Sequence, residues 1–121
     1  VTVGGACTSA NLEELARRPG RKLLIIDCEG CELSLLNPTS VPALADCDII
    51  VECHDFMNRA ITPTLTALFS STHTIEQVDE GARNPNSFAL LRNWQSHDRW
   101  LAIDENRPET MHWLIFQSKL N

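Results

Sequence analysis

The chain has 121 residues, 43% of them hydrophobic and 21% charged, with a formal net charge of −6. That length sets one domain over residues 1–121 with room for a core, and the composition is that of a folded globular chain rather than a disordered one. The acidic balance and the lack of a basic stripe speak against nucleic acid and anionic membrane surfaces as partners, and no apolar run reaches the roughly 20 residues that span a bilayer.

In chain order, Val1-Thr2-Val3 reads as a strand ending at Gly4-Gly5. Thr8 or Ser9 is placed to cap a helix through Leu12, Leu15 and Ala16 that stops at Pro19-Gly20. Residues 23–27 form a continuous apolar run, which suits a strand covered on both faces. Gly30 opens a helix through Leu33, Leu35 and Leu36, and Ser40-Val41-Pro42 starts a short helix with proline in its first turn. Residues 48–53 repeat the strand signal, Thr62-Pro63 begins another helix through Phe69, and residues 73–78 alternate as a strand. A polar loop over 81–87 leads to a predicted helix over 88–104 and a last strand over 111–117. The alternation of strand and helix predicts βαβ units in a mostly parallel sheet, with an antiparallel strand at the C-terminal end.

Two strand ends carry the chemistry. Asp27, Glu29 and Glu32 follow the first strand around Gly30, which permits a tight turn and close backbone approach. An acid closing a buried strand is expensive to keep there without a purpose. Glu52, His54 and Asp55 close the next strand. A histidine among carboxylates suits general-base work or metal binding. In open α/β sheets ligands bind beyond the carboxyl ends of the strands, where both groups fall. His73, His97 and His112 are expected to be surface or packing residues, and Trp94, Trp100, Trp113, Phe88 and Phe116 core residues.

Five cysteines, an odd number, preclude a fully paired disulfide framework. Reduced, buried thiols in a cytoplasmic protein are expected, with no signal-peptide pattern at the start. Cys28-x-x-Cys31 has thioredoxin-like spacing, but acidic neighbours oppose thiolate formation. A zinc site drawing on Cys28, Cys31, Cys47, Cys53 and His54 lacks a second close cysteine pair, so no metal is assigned. Val1 in place of a methionine suggests a fragment or processed product.

The run Leu24-Ile25-Ile26-Asp27-Cys28-Glu29-Gly30-Cys31-Glu32, followed by Leu35-Leu36 and Ile50-Val51-Glu52-Cys53-His54, resembles the FkbM-like S-adenosylmethionine-dependent methyltransferases. That family shows an Asp-x-Glu-Gly-x-Glu signature after its fourth strand, and an acid, often with a histidine, at the end of its fifth. The resemblance implies a Rossmann-like α/β sheet in the order 3-2-1-4-5-7-6, with residues 1–5 ending the third strand. It implies O-methylation of a hydroxyl on a sugar, polyketide or other small molecule, with S-adenosyl-L-methionine as cofactor. Asp27, His54 and Glu52 would be catalytic, with His54 the base. Asp27, Glu29 and Gly30 would hold the cofactor, and Glu32 and Asp55 the acceptor. The glycine-rich cofactor loop of such domains has no counterpart here, so the chain is expected to be their C-terminal half. Its open sheet edge would then serve for homodimerisation or pairing with another chain. The rival expectations are a non-catalytic binding or assembly module on a truncated methyltransferase fold and, third, a thioredoxin-like or zinc-binding cysteine protein.

Overall fold

The computed structural model describes residues 4–120, so the strand expected at Val1-Thr2-Val3 lies outside the described residues. The first helix, α1 (Ser9–Ala16), starts where expected: the Thr8 side chain accepts from the Asn11 N–H while the Asn11 side chain accepts from the Thr8 N–H. Its inward face presents Leu12 and Ala16. Then come β1 (Lys22–Ile26), the one-turn α2 (Glu32–Leu35) and a 3-10 turn at Pro42–Asp46, followed by β2 (Cys47–Cys53). The chain continues through α3 (Ile61–Phe69), β3 (His73–Asp79), α4 (Ser96–Leu101) and β4 (His112–Ser118). Pro42 opens its 3-10 turn as its fixed φ favours, but the preceding Val41 supplies no side-chain cap.

The four strands form one open sheet in the order β1-β2-β4-β3. β1 and β2 are parallel, in register from Lys22 opposite Cys47 to Ile26 opposite Val51. β4 runs antiparallel to both β2 and β3. The sheet is therefore mixed and mostly antiparallel, not mostly parallel as expected. The cause is position: β1, β2 and β3 share one direction, and the single reversed strand lies between two of them.

Alternation along each strand sends one set of side chains to a common core. Ile49, Val51, Leu114 and Phe116 are buried there with Leu36, Val41 and Leu44, with Ile61, Leu65 and Phe69 of α3, and with Leu12 and Ala16. Phe69 packs against Phe116 at 5.0 Å between ring centroids and against His73 at 5.1 Å. His73 is thus a packing residue, and its Nε2–H donates to the Cys47 carbonyl at 2.9 Å.

The opposite face is only partly covered. Leu23 is 57% and Ile25 72% exposed, so β1 is half-covered rather than buried on both faces, and no described strand pairs with its outer edge. The helix expected over 88–104 is interrupted as well: a 3-10 turn at Ala89–Leu91 and α4 flank an extended Gln95. Trp94, Trp100 and Phe88 are exposed instead of core, because this excursion has no second layer to pack against.

Truncating Phe116 to alanine is expected to cost about 3–5 kcal/mol, since the aromatic cluster cannot close over the cavity. Ile25→Thr, on the bare face, should change stability by less than about 0.5 kcal/mol. Urea denaturation of both variants checks the pair, and similar losses would mean that the two faces are equally buried.

Candidate functional site

The parallel pair brings two carboxyl ends side by side. Ile26 lies opposite Val51, so Asp27, one residue beyond β1, emerges next to Glu52. The turn after Asp27 reverses sharply, with Glu29 at φ 51° and Gly30 at φ 98°. Only glycine adopts the second value without strain. A Cβ at Gly30 would also meet Met57 Cε at 3.1 Å, which the flexible, half-exposed methionine could give way to, so it is the turn that demands the glycine. The turn carries Glu32 back beneath the strand ends, where it is 0% exposed.

Glu32 is the partner of His54. Its Oε1 lies 2.5 Å from His54 Nδ1 and also accepts the Gly30 N–H at 3.2 Å. A carboxylate acceptor assigns the proton to Nδ1 and turns Nε2 outward. Nε2 lies 3.4 Å from a Glu29 oxygen and 3.8 Å from an Asp27 oxygen. The edge of the ring against Phe56, with centroids 5.9 Å apart, completes its surroundings. Glu32 Oε2 is buried with no hydrogen-bond partner among the described residues.

Glu52 faces the same space and is paired with Arg107, whose Nη1 donates to Glu52 Oε1. Arg107 stacks over Trp113 at 5.4 Å and reaches Glu105 at 2.5 Å. Burial works against its charge, yet the Glu52 and Glu105 carboxylates raise its pKa above the ordinary value. Hydrogen bonds from Arg83 and then Arg107 hold Glu105 down to about 2. Asp27, Glu29, Glu52, His54, Phe56 and Arg107 line a cleft of about 430 Å³. A larger cleft of about 570 Å³ adjoins it across Glu105 and Arg107 but contains none of the strand-end acids.

Asp27, Glu29, Glu32, Glu52 and His54 are therefore gathered in one place, with Gly30 in the turn between them. Asp55 is not: its Oδ1 caps α3 by accepting the Thr62 N–H at 3.1 Å, and Oδ2 lies 3.5 Å from His112 Nε2. Glu32, expected to contact an acceptor, is instead the buried support of the histidine. Arg107 was missed. Its only signal is a basic residue in an acidic run, Glu105-Asn106-Arg107, just before the last strand.

Cys28 and Cys31 form a disulfide across the turn, which corrects the expectation of reduced thiols there. Cys47 and Cys53 are free and buried at opposite ends of β2, about 20 Å apart at strand rise, so the five-residue zinc arrangement does not form. Comparison with family models, with curated proteins and with solved structures finds no match for this chain. Its chemistry has to be argued from the site itself.

Three outcomes follow from the site. Glu32→Ala should remove the Nδ1–H signature of His54 in nitrogen-15 NMR and destabilise the chain by about 1–3 kcal/mol, by orphaning a buried ring nitrogen. Native alkylation without reductant should label Cys7 alone, the one exposed free thiol, while Cys47 and Cys53 react only on unfolding and Cys28 and Cys31 only after reduction. Burial pushes the Cys53 thiol up to about 11 from 9.0. Folding therefore favours the neutral thiol, so this contribution to stability is complete below pH 9 and declines as pH rises through 9 to 11, read as a falling urea midpoint.

Proposed function

We propose that this chain contributes the acceptor side of an S-adenosylmethionine-dependent O-methyltransferase. The observation that carries the reading is the Glu32–His54 pair: a buried carboxylate fixes an imidazole so that Nε2 faces a cleft at two adjacent strand ends. A neutral imidazole held this way can accept the proton of a hydroxyl placed against it. The sheet order supports the reading, since β1-β2-β4-β3 is the order 4-5-7-6 implied by the resemblance, with the reversed strand in the same place.

The cleft fits a cationic donor. Asp27 and Glu29 are exposed in its lining, so these two carboxylates would hold the sulfonium and ammonium end. When bound, S-adenosylmethionine supplies an already activated methyl group. What remains for this chain is to orient the acceptor hydroxyl and to take up its proton, tasks for Glu52 and His54. The acceptor is a small hydroxyl-bearing molecule in this reading.

Calorimetric titration of the chain with S-adenosylmethionine and with S-adenosylhomocysteine tests the proposal. Saturable binding that weakens about tenfold or more in Asp27→Asn is expected, with tighter binding of the cationic donor than of the neutral product. In an active preparation His54→Gln should lower kcat by about 10²–10⁴ while leaving donor affinity nearly unchanged. The absence of any donor binding would sink the reading. A second reading, an assembly module, draws on the bare β1 edge with Leu23 and Ile25 exposed. Sedimentation that shows a monomer at high micromolar concentration would discount self-pairing through that edge.

A further inference from the structure

The cleft is electrostatically one-sided. Arg107 is the only arginine or lysine among its lining residues, against Asp27, Glu29, Glu52 and Glu105. His54 sits among these acids, 3% exposed, and its Nε2 makes no hydrogen bond among the described residues. With the Nδ1 proton given to Glu32, a neutral ring aims its Nε2 lone pair at the Glu29 and Asp27 oxygens, 3.4 and 3.8 Å away. A lone pair facing anionic oxygens is repulsive, and a cation held between them reverses the sign of every contact.

We propose that Asp27, Glu52 and His54 form a binding site for a single divalent transition-metal ion. Their ligand atoms all lie within 4.8 Å of one another. An ion bound tetrahedrally at about 2.0–2.2 Å would draw such atoms to about 3.3–3.6 Å apart, a closure of up to roughly 1.5 Å. Asp27 can supply that movement, because its side chain is 59% exposed and bound to nothing that fixes it more closely than His54 at 3.8 Å. One oxygen of Glu52 accepts from Arg107, which fixes the carboxylate, and the other is left for the ion. Glu32 completes the pattern: a metal-bound histidine ordinarily gives its other ring proton to a carboxylate, which sets tautomer and direction.

One imidazole nitrogen with two carboxylate oxygens suits Mn²⁺, Fe²⁺ or Zn²⁺ better than Ca²⁺, which takes six to eight oxygens. The site stands on these side chains and does not depend on methyl transfer. Where methyl transfer also occurs, the ion would occupy Nε2 and acidify a coordinated hydroxyl, replacing the imidazole as the agent of proton loss.

Mn²⁺ is the probe, because it discriminates against the cysteine thiols. The whole chain, stripped with chelator and kept without reductant, is titrated while free Mn²⁺ is followed by electron paramagnetic resonance. One ion per chain is expected. Asp27→Asn should weaken binding about tenfold or more and His54→Gln at least as much, whereas Glu76→Gln, an exposed acid on β3, should leave it unchanged. Asp27→Asn changes an exposed side chain, and its circular dichroism and melting curve serve as the folding check. No Mn²⁺ uptake, or uptake that Asp27→Asn leaves intact, overturns the site and assigns the space at Nε2 to a proton. Donor titration in excess chelator separates this result from the methyltransferase reading, which can succeed or fail independently.

Discussion

The buried contact between Glu32 and His54 is the constraint on which the rest of the strand-end architecture depends. A carboxylate with no solvent exposure is costly unless its oxygens are occupied. Here one oxygen takes both the imidazole N–H and the Gly30 N–H, while the other has no hydrogen-bond partner among the described residues. Meeting those two donors requires the chain to turn back within three residues of Asp27. The left-handed pair Glu29-Gly30 and the disulfide between Cys28 and Cys31 both serve that reversal. The Glu32–His54 contact itself ties the turn after β2 to the turn after β1, with the Met57 side chain resting against Gly30. The two loops are thereby one unit, and the direction of His54 Nε2 follows from it.

Sheet topology explains why Asp27, Glu29 and Glu52 collect at this edge. Where two strands are antiparallel, the end of one lies beside the start of the other. Only β1 and β2, the parallel pair, present two carboxyl ends together. The loop before β4 then closes over this edge, and Arg107 latches it by pairing with Glu52 while resting on Trp113. Glu105, itself held by Arg83 and Arg107, extends the latch along the loop. The guanidinium therefore offsets one acid of the cleft and leaves His54 as the neighbour of Asp27 and Glu29 in its lining.

Much of this was legible in the sequence. Apolar runs with β-branched residues and, for β3, alternation placed all four described strands to within a residue or two, since the pattern of a strand is local. The Thr8 cap and the proline-led turn at Pro42 were also readable, being local chemistry. What failed was non-local. The insertion of residues 112–118 between β2 and β3 follows the strand order that the resemblance implied, but the described sheet holds a single parallel pair, so the balance of parallel and antiparallel pairing was misjudged. The apolar spacing of Leu90, Leu91, Trp94 and Leu101 is helical, yet without a facing layer the helix breaks at Gln95 and the tryptophans stay exposed. Asp55 stood beside His54 in sequence but turns to cap α3, since a free N–H of a helix's first turn is a nearer demand than a cleft.

The division of labour between Glu32 and the other acids follows from the same geometry. Asp27, Glu29, Glu32 and Glu52, at two successive strand ends, look equivalent in sequence, but burial sorts them. Glu32 is inside and shares a proton with the ring, so it sets direction. Asp27 and Glu29 are outside and meet whatever enters, while Glu52 lies between them, half-committed to Arg107. A cleft with one fixed imidazole nitrogen, one anchored carboxylate and one adjustable carboxylate is organised around positive charge. A sulfonium, an ammonium or a metal ion would each meet that field. Their different demands on Nε2 separate them: an ion needs its lone pair as a ligand, whereas a hydroxyl acceptor beside a cationic donor needs it free to take a proton.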